Sequence, residues 1–123
     1  MADQKRRAGT LFFRVNGETL DAKGSFSYNL GRPKRETIIG SDITHGYKEM
    51  PQEAFIEGEI TDKGSLDLNQ LVTMSDVTVT LELANGKVIV LRDAWFSGEG
   101  TVNTDEANIA VKFSGISAEE LGA

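Results

Sequence analysis

The sequence predicts a mainly β protein: an antiparallel β-sandwich or partly open barrel with one short α-helix and a long extended loop. Three observations carry this. Apolar and polar residues alternate over most of the chain, the period of a half-buried strand. Asn16-Gly17 and Asn85-Gly86 stand between alternating runs, where a tight hairpin turn calls for positive φ. Only one stretch repeats its apolar residues at helical spacing. At 123 residues the chain can bury one core of its own, and residues 1–123 read as a single domain.

The elements follow in order. Residues 1–8 form an N-terminal arm with the basic cluster Lys5, Arg6 and Arg7. Residues 10–16 read as a strand with Leu11, Phe13 and Val15 on one face, and 18–22 return from the Asn16-Gly17 turn. Residues 24–30 place Phe26, Tyr28 and Leu30 together. Residues 30–52 break the pattern. They hold both prolines, the sole histidine and the cluster Arg32, Lys34, Arg35, with a possible strand fragment at 36–39. Connections usually run about 4–6 residues, and irregular ones beyond about 12–15 are commonly functional. This segment therefore reads as a long interaction loop.

Residues 54–61 alternate cleanly: Ala54, Ile56, Gly58 and Ile60 against Phe55, Glu57 and Glu59. Residues 65–74 are the helix, with Ser65 or Asp67 as its cap and Leu68, Leu71 and Val72 at i, i+3, i+4. Residues 77–83 and 87–92 flank Asn85-Gly86, with Val77, Val79, Leu81 and Leu83 inward and Glu82 outward. Residues 94–100 and 108–115 make a last pair, Trp95-Phe96 serving as a core anchor. Asp76 and Asp93 read as strand-end or turn residues. Residues 116–123 read as a loose C-terminal tail.

Charge is unevenly spread. Residues 1–48 hold nine Lys/Arg against five Asp/Glu, a balance of +4; residues 49–123 hold four against fourteen, a balance of −10, within a net −6. An acidic body opposes a phosphate-gripping nucleic-acid binder, which needs a basic face. A basic arm and an acidic body are complementary if copies assemble head to tail. The chain has no cysteine, hence no disulfide framework or thiolate metal site. No run of about 18 apolar residues is present, so no membrane span is expected. Leu11-Phe12-Phe13 is broken at once by Arg14, which argues against a secretory leader and for synthesis in the cytoplasm.

No catalytic constellation emerges. His45 has no second histidine to complete a metal site. No serine stands in a nucleophile elbow. Gly98-Glu99-Gly100 lacks the strand–glycine–helix context of a phosphate site. From the residues alone the chain is a self-assembling β-module, neither enzyme nor cofactor binder.

Several motifs carry a resemblance. Gly9-Thr10-Leu11-Phe12-Phe13-Arg14-Val15-Asn16-Gly17-Glu18 resembles the start of Mu-like phage tail tube proteins. Ile56-Glu57-Gly58-Glu59-Ile60-Thr61-Asp62, followed by Leu66-Asp67-Leu68 and Leu71, is similar to that family's central strand and helix. Leu83-Ala84-Asn85-Gly86-Lys87, Arg92-Asp93-Ala94-Trp95, Gly98-Glu99-Gly100 and Val111-Lys112-Phe113-Ser114-Gly115 continue the likeness. It implies a structural, non-enzymatic subunit of the inner tube of a contractile phage tail or phage-derived injection device. In that family six β-sandwich subunits form a ring, their strands join in one inner barrel, and rings stack into a tube. The implied partners are further copies of the chain, a tail sheath protein outside, and the tape measure protein and then DNA in the lumen. No cofactor and no membrane binding by the monomer are implied. The implied location is the virion tail, after synthesis in the bacterial host cytoplasm.

On this reading Arg32, Lys34, Arg35, Ile38, Ile39, His45 and Tyr47 are candidates for contact between rings or subunits. Lys5, Arg6 and Arg7 are candidates for contact through the N-terminal arm. Glu57, Glu59 and Glu82 are candidates for the lumen wall, where carboxylates would repel phosphate. The competing reading is a monomeric β-sandwich accessory module that binds glycan or protein. A small hydrolase is a third reading, without a constellation to support it.

Overall fold

The computed structural model describes residues 11–64 and 66–122; the Lys5-Arg6-Arg7 arm and Ser65 lie outside them. In chain order the elements are β1 (Phe12–Val15), β2 (Glu18–Leu20), β3 (Ala22–Leu30), β4 (Lys34–Ile39), β5 (Thr44–Met50), β6 (Ala54–Thr61), α1 (Leu68–Val72), β7 (Val77–Glu82), β8 (Val88–Phe96), β9 (Val102–Asn103), β10 (Asn108–Gly115) and β11 (Ala118–Leu121). Strands pair antiparallel along β2-β1-β7-β8-β10-β6-β3, with β11 added to β8 and β9 to β10. The path ends at β2 and β3 without closing, so the fold is a curled sandwich and not a closed barrel.

Strand β8 is the corner. Its first half pairs with β7 and β11; its last two residues, Trp95 and Phe96, pair with Ser114 and Phe113 of β10. Between them Asp93 takes φ 53 and the β7–β8 register shifts, a bulge that lets one strand serve both sheets. The first layer is therefore β2-β1-β7-β8-β11 and the second β3-β6-β10-β9. Phe13 of the first layer meets Phe26 and Phe113 of the second at ring-centroid distances of 5.0 and 6.1 Å, and Phe96 meets Phe113 edge-on at 5.4 Å. Ile56, Ile60, Val79, Leu81, Ile89, Leu91 and Ile109 are fully buried between the layers.

The alternation read from residues 10–16, 54–61 and 77–83 is the core face of β1, β6 and β7. Asn16 (φ 51) and Gly17 (φ 83) are both left-handed, and Asn16 is tied to Thr78 by two 2.8 Å hydrogen bonds. At Asn85-Gly86 only Gly86 is left-handed (φ 94). The Gly86 N–H donates to the Leu83 carbonyl at 3.0 Å, the longer, bulge-type hairpin loop. The helix is five residues long, shorter than residues 65–74. The Asp67 carboxylate caps it, accepting from the Gln70 N–H at 3.3 Å. So short a helix depends on packing, and Leu71 supplies it, 1% exposed in the core.

Three expectations are corrected. The 116–123 tail is not loose: Ala118–Leu121 is an edge strand on β8, anchored by buried Ala118. Trp95 is no core anchor. It lies on the outer side of the corner, 42% exposed, and only Phe96 turns inward. The last strand pair is split, because β10 meets β8 over two residues and is otherwise flanked by β6 and the two-residue β9.

Gly58 of β6 lies under the Phe26 ring, where an added Cβ would stand 2.6 Å from the ring carbons. Gly58→Ala should destabilise the fold by about 1–3 kcal/mol, the usual cost of overpacking a well-filled core. Denaturant unfolding monitored through Trp95 measures it; stability equal to the parent would show that Phe26 yields freely.

Candidate functional site

Residues 30–52 form a β-ribbon, not an irregular loop. Strands β4 and β5 pair from Lys34↔Met50 to Ile38↔Gly46, then shift by a bulge to Ile39↔Thr44. They make a separate two-stranded sheet. The expected fragment at 36–39 is the outer part of β4. No residue of either strand is buried, so the ribbon offers both faces to solvent. Six residues at about 3.4 Å each make it about 20 Å long. No core face exists to impose alternation, which is why periodicity did not reveal it.

The ribbon has a charged stem and an apolar end. In the stem Arg35 faces Glu49 at 3.9 Å, Lys48 faces Glu36 at 3.5 Å, and the Arg35 guanidinium stacks 4.7 Å from the Tyr47 ring centre. Arg35 is thus engaged within its own ribbon. Arg32 and Lys34 make no ion pair among the described residues. Toward the tip Ile39 and Ile43 are 76% and 64% exposed, with Ile38 and Tyr47 exposed beside them. The His45 imidazole, at the bulge near the start of β5, lies over Gly40, where an added Cβ would collide with it. Among the described residues no group of His, Asp and Glu side chains could hold a metal ion.

At the root, backbone and side chains fix where the ribbon leaves the body. Gly31 takes φ 80 and presses against Ala54, where a Cβ would come within 2.7 Å of the Ala54 Cβ. Its N–H donates to Asn29 Oδ1 at 2.9 Å, and Gln52 Nε2 donates to Asn29 Oδ1 and the Arg32 carbonyl at 3.2 Å each. Glu53 follows. Lys112 Nζ meets its Oε1 at 2.8 Å, Ser114 Oγ donates to its Oε2 at 3.0 Å, and Ser97 Oγ lies 2.7 Å from Ser114 Oγ. The Lys112 and then the Ser114 hydrogen bond hold the Glu53 carboxyl below its ordinary pKa, against a smaller opposing effect of burial. Sequence reading passed over Glu53, since its partners lie about sixty positions away and nothing local marks them.

The two outer faces differ, and the lumen candidates are divided between them. Glu57 and Glu59 stand on the outer face of the second layer, among Ser25, Ser27, Ala110 and Thr101, which share a shallow depression with them. Glu59 accepts from Asn108 Nδ2 at 2.7 Å. Glu82 stands on the outer face of the first layer, ion-paired to Arg14 at 2.6 Å. The layers pack face to face through Phe13, so these faces point to opposite sides of the molecule. A wall built from one layer takes Glu57 and Glu59, or Glu82, and not all three.

The phage tail tube protein family matches residues 4–120. The chain is 28% identical over 113 residues to the Mu-like prophage FluMu tail tube protein of Haemophilus influenzae, spanning 92% of this chain and 94% of that one. It is 30% identical over 94 residues to the tail tube protein of Escherichia phage Mu, spanning 76% and 79%. Its fold is similar to the cap that terminates the tube of the anti-feeding prophage (TM-score 0.65, 9% identity, 96% and 93% covered). It is also similar to a chain of the sheath–tube complex of an extracellular contractile injection system (TM-score 0.60, 14% identity, 92% and 88% covered).

A pH dependence follows from Glu53. A carboxyl whose pKa is depressed by folding adds stability above its unfolded pKa and loses it as pH falls through the folded value. Glu53→Gln should therefore cost about 0.2–1 kcal/mol at neutral pH, the range of exposed pairs, and nothing at a pH low enough to protonate the folded carboxyl. Denaturant midpoints for both proteins across that acid range check this. A gap that persists unchanged at the acid end would assign the cost to something other than the charge.

Proposed function

The chain belongs to the phage tail tube protein family, in its Mu-like branch, and on that premise we propose that it forms the inner tube of a contractile tail as stacked hexameric rings around a DNA conduit. As a tail tube subunit it is a structural protein and not an enzyme. The observation that carries the assembly reading is the ribbon. An isolated two-stranded hairpin is marginal in water, and this one holds Ile39, Ile43 and Tyr47 exposed among the described residues. Burying one isoleucine is worth about 1.5–3 kcal/mol, so contact with a second copy would stabilise ribbon and tube together. The ribbon's length of about 20 Å suits a reach into the next ring.

The same reading assigns the outer face of the second layer to the bore. Strands β3 and β6 of that layer lead into and out of the ribbon, so ribbon and bore wall would be set by one pair of strands. β3 is a terminal strand of the path, with an edge that no strand among the described residues takes and that could join a neighbour's sheet. Ser25, Ser27, Thr101 and Ala110 leave Glu57 and Glu59 open on this face, and these carboxylates would keep phosphate from adhering. Glu82 then faces away from the bore, toward a sheath protein around the tube. The bore would hold the tape measure protein first and DNA after it. Phage and phage-derived particles would both use such a tube.

Ile39→Asp with Ile43→Asp should leave the sandwich folded and abolish stacking, as judged by circular dichroism and by negative-stain microscopy of concentrated protein. Filaments of parental length would remove the ribbon from the assembly, and a parent protein that stays monomeric at high concentration would favour the accessory-module reading. Arg32→Glu with Lys34→Glu should weaken assembly at low salt and much less at high salt, because exposed charges are screened beyond about 8 Å at physiological ionic strength. Equal assembly at low salt would mark these two as solvated charges only. Glu57→Lys with Glu59→Lys should give tubes that retain duplex DNA in a nuclease-resistant form; tubes that shed it would place this face outside the bore.

A further inference from the structure

The outer face of the second layer carries two lysines on its strands, Lys23 near its edge and Lys112 at its centre, and only Lys112 has a carboxylate partner among the described residues. Lys23 Nζ donates to the Glu106 carbonyl at 2.5 Å. Lys112 is the central problem for a phosphate-shedding surface, since it stands in the middle of β10. In register it lies opposite Glu57, the natural partner for a cross-strand ion pair. It does not take it. Its side chain turns along the sheet, passes over the Phe55 ring at 5.0 Å and ends on Glu53 Oε1 at 2.8 Å. The packing of Gly98, whose added Cβ would sit 3.6 Å from the Lys112 Cβ, bounds the other side.

The choice of partner has an electrostatic consequence. Had Lys112 paired with Glu57, one carboxylate of the acidic stripe would be spent on neutralising it. Pairing with Glu53, which lies beyond the stripe just before β6, cancels the lysine and leaves Glu57 without an ion pair among the described residues. The Glu53 carboxylate is also prearranged. Its second oxygen is held by Ser114 at 3.0 Å, and Ser114, 1% exposed, is held in turn by Ser97 at 2.7 Å. A carboxylate with both oxygens fixed keeps its place over the ammonium without first having to be ordered, and charge-assisted bonds of this kind are the strong ones.

We propose that Glu53 is a charge mask: held by Ser114 and Ser97, it covers the Lys112 ammonium so that a passing nucleic-acid phosphate backbone does not find this lysine free at the centre of the face. The proposal rests on the assignment of this face to the bore. In a ring of copies each unmasked lysine would be repeated around the bore, and repeated weak contacts add by multivalency. The mask thus answers a problem that one lysine on a lone monomer would barely pose.

The test measures retention of a short labelled duplex by assembled protein as a function of salt, for the parent, Glu53→Gln, and Glu53→Gln with Lys112→Met. Gln keeps the shape and one acceptor for Ser114, and Met keeps the apolar stem over Phe55. Glu53→Gln should retain several-fold more DNA at low salt, with a salt slope steeper by about 0.9 for each lysine that engages a phosphate. The double variant should return to the parent level, which a merely structural role of Glu53 would not produce. Equal retention by the double and single variants overturns the mask, because the bound DNA would then not depend on Lys112. Parental retention by Glu53→Gln, while Glu57→Lys with Glu59→Lys holds DNA, overturns the mask and leaves the bore assignment standing. Parental retention by all variants overturns both.

Discussion

The contact on which the rest depends is Phe13 between the layers. Its ring meets Phe26 of β3 and Phe113 of β10, so one residue of the first layer touches both the edge and the centre of the second. Such aromatic contacts add about 0.5–1.5 kcal/mol each beyond area burial. Their larger effect is geometric. Once Phe13 fixes the inner faces, every other residue of these strands is committed to one of two opposite outer surfaces. Arg14 and Glu82 go to one side, Glu57 and Glu59 to the other. The corner at Asp93 then lets β8 bind both layers, and no closed barrel is needed to protect the core.

That division leaves the ribbon as the one part without a core. Its stem is stabilised by its own cross-strand pairs, Arg35 with Glu49 and Lys48 with Glu36. Exposed pairs of this kind contribute about 0–1 kcal/mol, enough to favour a register and too little to hold a hairpin firmly. The basic cluster therefore reads differently in the structure than in the sequence. Arg35 is occupied in its own ribbon, which leaves Arg32 and Lys34 as the cations open to a neighbour. The apolar tip becomes the stronger candidate for adhesion, since area removed from water outweighs a screened surface charge.

Legibility in the sequence followed the core. Strands β1, β6 and β7 alternate because one face of each is buried, and Leu71 marks the helix for the same reason. The ribbon has no buried face, so its pairing left no period to read. β11 was missed because an edge strand carrying Glu119 and Glu120 resembles a polar tail; acidic residues there suit an edge that must not aggregate, and only Ala118 is buried. Trp95 is large yet half-exposed, because at the corner alternate residues face outward and size does not set depth. Glu57, Glu59 and Glu82 lie on the strand faces opposite the buried residues. Which layer each face belonged to depends on the long-range path through β8, and no local pattern holds that information.

Glu53 shows the same limit and what lies beyond it. It directly follows the ribbon's return, in Met-Pro-Gln-Glu, with no motif around it. Only the pairing of Gly115 with Ala54 and Phe113 with Ile56 brings Ser114 and Lys112 to its carboxylate. The register that buries Ile56 against Phe113 therefore also decides which acid meets Lys112. A slip of one residue would turn each strand's buried set to solvent, and a slip of two would keep the faces yet change the cross-strand partners. Core packing in this chain thus sets the pattern of its surface charge, because the strand pairing that fills the interior decides which acids are neutralised and which stay free.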